Sequence, residues 1–352
     1  MTTRPTSLRT SGYATTAADS PLAPFTFERR APGDRDVHIT IDYCGICHSD
    51  IHSAKNEWGM TTYPFVPGHE IIGRVVKAGK DVRKVREGQR VGVGCFVNSC
   101  RKCGSCNAGH ENYCEAGVIM TYGSVDTDGT PTFGGYSRDI VVDEHFVLTI
   151  PDGLDPAGAA PLLCAGITTY SPLRAAGVTK GSRVAVMGLG GLGHMGVKLA
   201  ASFGAEVTVF SRSPEKKADA RRLGAHDFVL TSTAGALDAL VGRYDAILDT
   251  ISAKHEITPV LNCLKAHGSL ILVGASPEPL EFSALPLIFA NRKIVGSLVG
   301  GIPETQEMLD HCGAHGITSD IEMVNPDQIN DAFGRTTRGD VKYRFVIDCT
   351  KF

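Results

Sequence analysis

The sequence predicts an α/β protein of two domains, one mostly β and one built on a doubly wound parallel sheet. Its 352 residues exceed the usual size of a single hydrophobic core, so two domains are expected. The first part, to about residue 155, is rich in short β-type runs separated by Gly and Pro. From about residue 183, apolar runs alternate with helical stretches, which is typical of a parallel sheet with intervening helices.

Four short β-type runs are found in the first part of the chain. Each has the composition of a β-strand and is bounded by turn-forming residues. Their irregular spacing indicates a mostly antiparallel β domain. The predicted strands are Val37–Tyr43, Glu70–Ala78, Arg90–Phe96 and Tyr136–Val142.

Six apolar runs define the second part, and helical stretches separate them. One helix is predicted to follow the first run and to end at Ser202, and another spans Pro214–Leu223. Parallel strands need crossover helices between them, so this alternation predicts a doubly wound sheet. The predicted strands are Arg183–Met187, Glu206–Phe210, Asp227–Leu230, Tyr244–Thr250, Ser269–Gly274 and Lys293–Val299.

The tail of the chain, residues 300–352, resembles the first part in composition and ends in the strand-like run Tyr343–Cys349. We therefore expect it to return to the first domain, which would make that domain discontinuous. The expected domains are residues 1–160 with 296–352, and residues 161–295.

Composition and charge exclude several classes of protein. Hydrophobic residues make up 42% and charged residues 21% of the chain, the profile of a globular protein rather than a disordered one. The formal net charge of -3, without a basic cluster, gives no basis for nucleic-acid binding. No run approaches the roughly 18 apolar residues of a membrane span, and the start lacks the apolar core of a secretory signal. We expect a cytoplasmic protein without nucleic-acid or membrane partners.

The 11 cysteines include a cluster of four, Cys100, Cys103, Cys106 and Cys114. Four thiolates in one loop can close a tetrahedral zinc site with no open position, as in structural zinc sites. The odd number of cysteines and their clustering fit metal binding in a reducing compartment better than a disulfide framework. The alternative is an accidental group of free thiols.

A glycine-rich turn follows the first predicted strand of the second part. Gly188, Gly190 and Gly193, with Gly191 and Leu192 between them, form a G-x-G-x-x-G pattern that opens a helix. Such glycines permit a tight turn and let backbone N–H groups approach a dinucleotide pyrophosphate. Packing alone can also produce glycine turns, but the strands and helices on both sides favour a cofactor site.

The end of the second predicted strand indicates which dinucleotide binds. An NAD site needs a carboxylate there for the ribose 2′-hydroxyl, and none is present. Ser211, Arg212, Ser213 and Lys216 could instead hold a 2′-phosphate through charge-assisted hydrogen bonds. The sequence favours NADP(H), although Arg212 and Lys216 can also be read as ordinary solvated residues.

Together these motifs resemble the zinc-containing medium-chain alcohol dehydrogenases, and most closely their cinnamyl-alcohol-dehydrogenase-like and bacterial NADP-dependent branch. The resemblance covers essentially the whole chain, and it implies a GroES-like catalytic domain and a Rossmann cofactor domain. Without the resemblance, a Cys or His that stands by itself in the sequence would more often be a buried packing residue than a metal ligand. The residues that carry the resemblance are Cys47-His48-Ser49-Asp50-Ile51-His52, Gly68-His69-Glu70, the four clustered cysteines, Cys164-Ala165-Gly166-Ile167-Thr168 and the glycine turn.

The resemblance implies a role for each matched residue. Cys47, His69 and Cys164 would bind a catalytic zinc whose fourth position is left to water or substrate. Glu70 matches an acidic neighbour that can transiently approach the metal.

It also implies the residues that move the proton and contact the cofactor. Ser49 matches the hydroxyl that receives the alcohol proton, and His52 the outer end of that relay. His48 and Thr168 match residues that contact the cofactor.

The expected protein is therefore an NADP(H)-dependent alcohol dehydrogenase with two zinc ions per chain, one catalytic and one structural. It would interconvert primary alcohols and aldehydes, with a broad preference for apolar substrates because the flexible Met120 stands where plant cinnamyl enzymes carry an aromatic residue. The family implies a homodimer joined through the edge strands of the cofactor sheets. The alternatives are an NAD-dependent polyol dehydrogenase, a zinc-free quinone reductase and a zinc-ribbon binding module.

Overall fold

The structure, a computed structural model, describes residues 7–276 and 278–352 of the chain. The chain forms two compact units. The first contains the residues up to Cys164 together with Gly300–Phe352, and the second contains Ala165–Val299. The polypeptide therefore leaves the first unit, builds the second and returns to the first.

Within the described residues, the strands have these bounds: β1 (Leu8–Ala14), β2 (Ala23–Arg29), β3 (Asp36–Gly45), β4 (Ile71–Ala78), β5 (Arg90–Val93), β6 (Phe96–Asn98), β7 (Ile119–Met120), β8 (Asp139–Asp143), β9 (Leu148–Thr149), β10 (Arg183–Met187), β11 (Glu206–Ser211), β12 (Asp227–Leu230), β13 (Tyr244–Asp249), β14 (Leu264–Leu272), β15 (Lys293–Gly296), β16 (Ile321–Val324) and β17 (Arg344–Asp348).

The α-helices of the same residues have these bounds: α1 (His48–Ala54), α2 (Gly104–Asn107), α3 (Pro156–Ala159), α4 (Ala165–Ala175), α5 (Gly191–Ser202), α6 (Lys217–Arg222), α7 (Thr258–Cys263), α8 (Leu285–Ala290), α9 (Ile302–His315) and α10 (Ile329–Thr337). None of these helices has both the length and the apolarity that a membrane span requires.

The first unit is organised around strand β3. In its main sheet the order is β16-β17-β3-β4-β5-β9, and β8 also pairs with β3. Val37, Ile39 and Ile41 are completely buried, whereas the intervening His38 and Thr40 are partly exposed. This alternation is the period of a strand with one face on the core.

The predicted strands of the first unit form, with small shifts of their ends and two larger differences. The run Arg90–Phe96 divides into β5 and the start of β6. The run from Tyr136 becomes β8 only at Asp139, because Tyr136 donates its N–H to the carbonyl of Pro67 in a loop rather than to a neighbouring strand. The tail strand β17 pairs antiparallel with β3, which returns the end of the chain to this sheet.

The second unit contains a parallel sheet in the order β12-β11-β10-β13-β14-β15. The chain runs outward from β10 to β12 on one side and from β13 to β15 on the other. The switch between β10 and β13 is the point where doubly wound sheets bind ligands, at the carboxyl ends of the strands. The predicted α/β class, with its doubly wound sheet, is confirmed.

Element boundaries in the second unit differ from the prediction by three or more residues at three places. The predicted helix Pro214–Leu223 begins as a 3-10 turn and becomes α6 at Lys217. Strand β14 begins at Leu264, earlier than predicted. Strand β15 ends at Gly296, and Val299 beyond it has a φ of 41°, which is incompatible with an extended strand.

Candidate active site

A buried cluster of side chains whose donor atoms could hold a metal ion lies in the first unit. One donor atom from each of Cys47, His69, Glu70 and Cys164 lies within 4.8 Å of the others. All four side chains are buried. Separate segments supply them: Cys47 follows β3, His69 and Glu70 precede β4, and Cys164 follows a 3-10 helix at Ala160–Leu163. The structure therefore brings together the dispersed residues that were predicted as the catalytic zinc site and its acidic neighbour.

Asp50 fixes the start of helix α1 and with it the position of Cys47. The backbone N–H of Cys47 donates to Oδ2 of Asp50 at 2.8 Å, within a capping box at the helix N-terminus. The N–H of Gly68 donates to Oδ1 of the same carboxylate at 3.1 Å, and the hydroxyl of Tyr136 donates to Oδ2 at 3.0 Å. One fully buried carboxylate thus connects the two segments that carry Cys47 and His69.

Gly68 must be glycine for His69 to reach this position. Its φ of +106° disfavours any residue with a side chain. A Cβ atom there would also lie 2.6 Å from the ring of Tyr136 and 2.8 Å from Sγ of Cys44. The turn before β4 therefore depends on Gly68 for both conformation and space.

Two side chains orient the imidazole of His69. Its Nδ1 lies 3.2 Å from Oδ1 of Asp50 and 3.0 Å from the hydroxyl oxygen of Tyr122. Because Nδ1 is engaged in this way, Nε2 is the nitrogen available to a metal. Burial raises the pKa of Tyr122 well above its usual value, so its hydroxyl remains protonated at neutral pH.

Cys47 and Glu70 are the two groups of the cluster that can supply negative charge to a cation. The Sγ atoms of Cys47 and Cys164 are 4.0 Å apart, and the hydrogen bond from Cys164 holds the pKa of Cys47 well below its usual range. Burial raises the pKa of Glu70 to about 7, against the opposing effect of Arg344, which forms an ion pair with it. Among the described residues, no hydrogen-bond donor reaches Oε2 of Glu70. Sulfur, nitrogen and carboxylate donors in this combination suit zinc.

The four clustered cysteines form a second group of donors in the first unit. Their Sγ atoms lie within 4.8 Å of one another. Backbone N–H groups point at the sulfurs: Cys103 donates to Cys100 at 3.4 Å, and Cys106 donates to Cys103 at 3.5 Å. The N–H of Cys100 donates in turn to Sγ of Cys114 at 3.4 Å and lowers the pKa of that thiol. Backbone hydrogen bonds also lower the pKa of Cys100, whereas burial raises the pKa of Cys106 to about 11. The backbone contacts therefore favour the thiolate, the form that binds zinc, at Cys100 and Cys114.

The predicted proton-relay residues lie on helix α1. Sγ of Cys47 lies 3.7 Å from Oγ of Ser49, so Ser49 lies beside the cluster that contains Cys47. Nδ1 of His52 bonds to Glu57, and its ring lies 5.2 Å from that of Trp58, which is 40% exposed. These contacts do not link Ser49 to His52, so the relay stays a prediction. His48 is exposed at the first position of the helix.

The glycine-rich turn lies in the second unit, between β10 and α5. Gly188 has a φ of +84°, and a Cβ atom there would lie 3.1 Å from Oγ1 of Thr250. Gly190 is the N-cap of α5, and Gly191 is its first residue. The backbone N–H groups at such a helix start can meet a phosphate.

The residues predicted to contact a 2′-phosphate follow strand β11, the neighbour of β10. Ser211 ends β11, and its Oγ accepts the N–H of Ser213 at 3.2 Å. Arg212 is exposed. Nζ of Lys216 donates to the carbonyl of Leu189 at 3.0 Å, which places its charge beside the glycine turn. Thr168 is buried in α4.

Sequence reasoning missed four residues that this site uses. Asp50 and Tyr122 contact His69, Glu57 contacts His52, and Arg344 pairs with Glu70. Asp50 lies inside the Cys47–His52 motif, so a histidine-orienting carboxylate could have been sought there. No sequence pattern around Arg344 indicates that it contributes to the site.

Comparisons with known proteins agree with this architecture. The protein-family model of the alcohol dehydrogenase GroES-like domain matches residues 33–152. The family model of the zinc-binding dehydrogenase matches residues 191–314. The chain is 53% identical over 339 residues to an NADP-dependent alcohol dehydrogenase C of Mycolicibacterium smegmatis, covering 96% of this chain and 97% of the relative.

Two solved structures are similar over nearly the whole chain. A cinnamyl alcohol dehydrogenase of Sorghum bicolor has a TM-score of 0.95 and 46% identity, with 97% of this chain and 98% of that one covered. CAD from Helicobacter pylori complexed with NADP(H) has a TM-score of 0.92 and 44% identity, with 98% and 99% covered.

The fold and the two groups of donor side chains that contain cysteines thus define a zinc-type oxidoreductase with a separate nucleotide-binding unit. Within that class, the chain belongs to the zinc-dependent alcohol dehydrogenase family. The predicted family and enzyme class are confirmed. The family assignment gives no support to the zinc-ribbon alternative.

Proposed function

We propose that the protein interconverts primary alcohols and aldehydes with NADP(H), using a catalytic zinc bound by Cys47, His69 and Cys164. The buried cluster of two sulfurs, one imidazole and one carboxylate carries this proposal, because it offers three zinc ligands and leaves a position for the substrate. Glu70 is the fourth donor group, and its unpartnered Oε2 can approach the metal when that position is vacated.

The chain's own residues orient the substrate and move its proton. Zinc bound in the cluster would act as a Lewis acid that lowers the pKa of the alcohol or polarises the aldehyde. The hydroxyl of Ser49, close to Sγ of Cys47, would accept the alcohol proton. His52 would pass that proton to solvent, and its contact with Glu57 orients the ring for this role.

The four clustered cysteines would bind a second, structural zinc. Cys100, Cys103, Cys106 and Cys114 satisfy all four positions of a tetrahedral metal, so this site has no room for substrate. The expected content is two zinc ions per chain.

The second unit would hold the dinucleotide. The glycine turn, comprising Gly188, Gly190, Gly191, Leu192 and Gly193, would receive the pyrophosphate at the start of α5. In this cofactor, the nicotinamide ring accepts or donates the hydride.

The 2′-phosphate would be bound where β11 ends. Ser211, Arg212, Ser213 and Lys216 offer two hydroxyls and two cations there, and no carboxylate competes at the strand end. His48 and Thr168 would make further contacts with the cofactor. The NADP-dependent relative and the NADP(H) complex support this choice.

The finer features follow the family expectation. We propose a cytoplasmic homodimer in which β15, one of the two edge strands of the cofactor sheet, faces its counterpart. Exposed apolar side chains on and near α8 support an interface there, including Leu285, Ile288 and Phe289. The catalytic domain is proposed as residues 1–160 with 296–352, and the cofactor domain as 161–295. The two compact units, which divide after Cys164 and before Gly300, support a division close to these bounds. The relative named for cinnamyl alcohol supports apolar aldehydes as substrates.

The first experiment follows nicotinamide absorbance while the purified protein is mixed with benzaldehyde and either NADPH or NADH. Rapid oxidation of NADPH, slow oxidation of NADH and loss of activity after chelation would support the whole proposal. Faster oxidation of NADH would contradict the roles given to Ser211, Arg212 and Ser213 and leave the zinc proposal intact. NAD-dependent oxidation of a hexitol, without aldehyde reduction, would favour the polyol dehydrogenase alternative.

A further inference from the structure

A buried carboxylate lies next to the glycine turn of the second unit. Asp249 ends β13, and its Cα is paired with Met187, the last residue before Gly188. The backbone N–H and the hydroxyl of Thr250 both donate to the carbonyl of Met187, at 3.1 and 2.6 Å. Asp249 is only 1% exposed. A negative charge is therefore built into the edge of the sheet where a polyphosphate is proposed to bind.

His255 is the ionic partner of this carboxylate. Nε2 of His255 lies 2.8 Å from Oδ2 of Asp249, and Nδ1 lies 2.8 Å from the carbonyl oxygen of Ala253. Both oxygens can only accept a hydrogen bond from the ring, so the doubly protonated imidazolium is the form that satisfies both contacts. Oδ1 of Asp249 receives the N–H of Ile251 at 3.0 Å.

The other charged groups near His255 are few. Arg212, beyond the end of β11, acts on it through charge repulsion, which opposes protonation. The neighbouring Lys254 is paired with Glu281 at 3.1 Å, and Glu256 follows in the chain. The hydrogen bond to Asp249 is the strongest influence, and it raises the pKa of His255.

We propose that His255 is a positioning residue that acts through Asp249: its positive charge neutralises the buried carboxylate and so permits the dinucleotide phosphates to bind at the adjacent glycine turn. This inference rests on the proposed use of that turn for NADP(H). Without His255, the carboxylate would repel the phosphates, and the repulsion of one unit charge through a partly screened protein interior changes affinity by about tenfold.

The test measures the binding of three ligands of increasing negative charge to the purified full-length protein by calorimetry. The ligands are adenosine, 5′-AMP and 2′,5′-ADP. The variants are His255→Gln, which keeps a hydrogen-bond donor but removes the charge, Asp249→Asn, and the double variant that combines them. Lys265→Met is the matched control, since Lys265 pairs at 2.7 Å with Asp245 near the opposite end of β13.

Charge neutralisation predicts a specific pattern. His255→Gln should lower the affinity for 5′-AMP by about tenfold and the affinity for 2′,5′-ADP by more, while the affinity for adenosine should not change. The double variant should bind all three ligands as the wild type does, because both charges are absent. The advantage of the wild type over His255→Gln should disappear as the pH is raised through the pKa of His255.

Two results would overturn the inference. One is an equal loss of affinity for adenosine and the nucleotides, and the other is a double variant no better than His255→Gln, because both indicate a purely structural role. Failure of the NADP(H) proposal is distinguishable, since the wild type would then bind 2′,5′-ADP no better than 5′-AMP. Circular dichroism of each variant establishes that it is folded.

Discussion

Arg344 and Glu70 form an ion pair in the interior of the first unit, although 274 positions of the chain separate them. Glu70 is completely buried and Arg344 is 5% exposed. The pair connects β17, contributed by the C-terminal tail, to the segment that carries His69. The return of the tail to the first unit therefore does more than complete a sheet: it supplies the counter-charge for the acidic member of the metal-binding cluster.

Replacing Arg344 by Met should leave the Glu70 carboxylate buried without its partner. The expected loss in free energy of unfolding is about 3 to 5 kcal/mol, the usual effect of breaking a buried ion pair. Urea unfolding followed by circular dichroism measures it. Arg183→Met is the control, because its pair with Glu206 is about half exposed and should contribute at most about 1 kcal/mol. Equal effects of the two substitutions would show that the buried pair does not stabilise the unit.

Metal analysis should separate the two cysteine groups. Wild-type protein is expected to contain two zinc ions per chain, and Cys106→Ser and Cys164→Ser should each contain one. Cys164→Ser should lose activity, while any folded Cys106→Ser protein keeps its catalytic metal. The control is Cys263→Ser, a buried cysteine that donates to the carbonyl of Pro259 in the second unit. A loss of zinc from this control would mean that metal content reports on folding rather than on ligation.

The groups that hold Nδ1 of His69 should control how tightly the catalytic metal is retained. Asp50→Asn removes the negative charge that orients the imidazole and that also accepts three further hydrogen bonds. The affinity for zinc should therefore fall by about 10- to 100-fold. Tyr122→Phe removes one neutral contact and should have a smaller effect. Competition with a chromogenic chelator measures both. A larger effect of Tyr122→Phe would reverse the assignment of Asp50 as the main orienting group.

Local sequence patterns were sufficient for much of the second unit. The predicted strands Arg183–Met187 and Asp227–Leu230 coincide with β10 and β12, because each is a short apolar run bounded by polar or glycine residues. Where a boundary depends on a distant partner, the pattern was insufficient. The strand predicted from Tyr136 begins only at Asp139, because the N–H of Tyr136 bonds to the loop at Pro67, which no local rule indicates.

The same limit applies to the site. Cys47, His69 and Cys164 could be proposed because their motifs resemble a known family, whereas no spacing rule connects residues so far apart. Arg344 is the clearest omission, since a lone arginine at the start of a strand is ordinary in sequence and acquires meaning only beside Glu70. Charge partners across long separations are set by topology and not by local composition.

The preference for NADP(H) should depend on the cations that follow β11. Arg212→Ala is expected to raise the KM for NADPH by about 10- to 100-fold, the scale of one charge-assisted hydrogen bond, with little change for NADH. Arg221→Ala is the control, because Arg221 is an exposed arginine in the later helix α6. Initial rates at saturating benzaldehyde give both constants. Parallel losses with the two cofactors would mean that Arg212 does not contact the 2′-phosphate.

The pairing of His255 with Asp249 should make the stability of the second unit depend on pH. The hydrogen bond to Asp249 raises the pKa of His255 above the ordinary value of 6.5, so the folded state holds the ring proton more tightly than the unfolded state does. The stabilisation is therefore complete below pH 6.5 and is lost as the pH rises through the raised pKa. At pH 6 the free energy of unfolding of the wild type should exceed that of His255→Gln by about 2 kcal/mol, the scale of a hydrogen bond between charged groups. This difference should shrink by about pH 9. Urea unfolding at several pH values measures it, with substitution of the exposed His110 as control. A difference that is constant across this range would mean that His255 does not change its protonation, because only a group that titrates differently in the folded and unfolded states can make stability depend on pH.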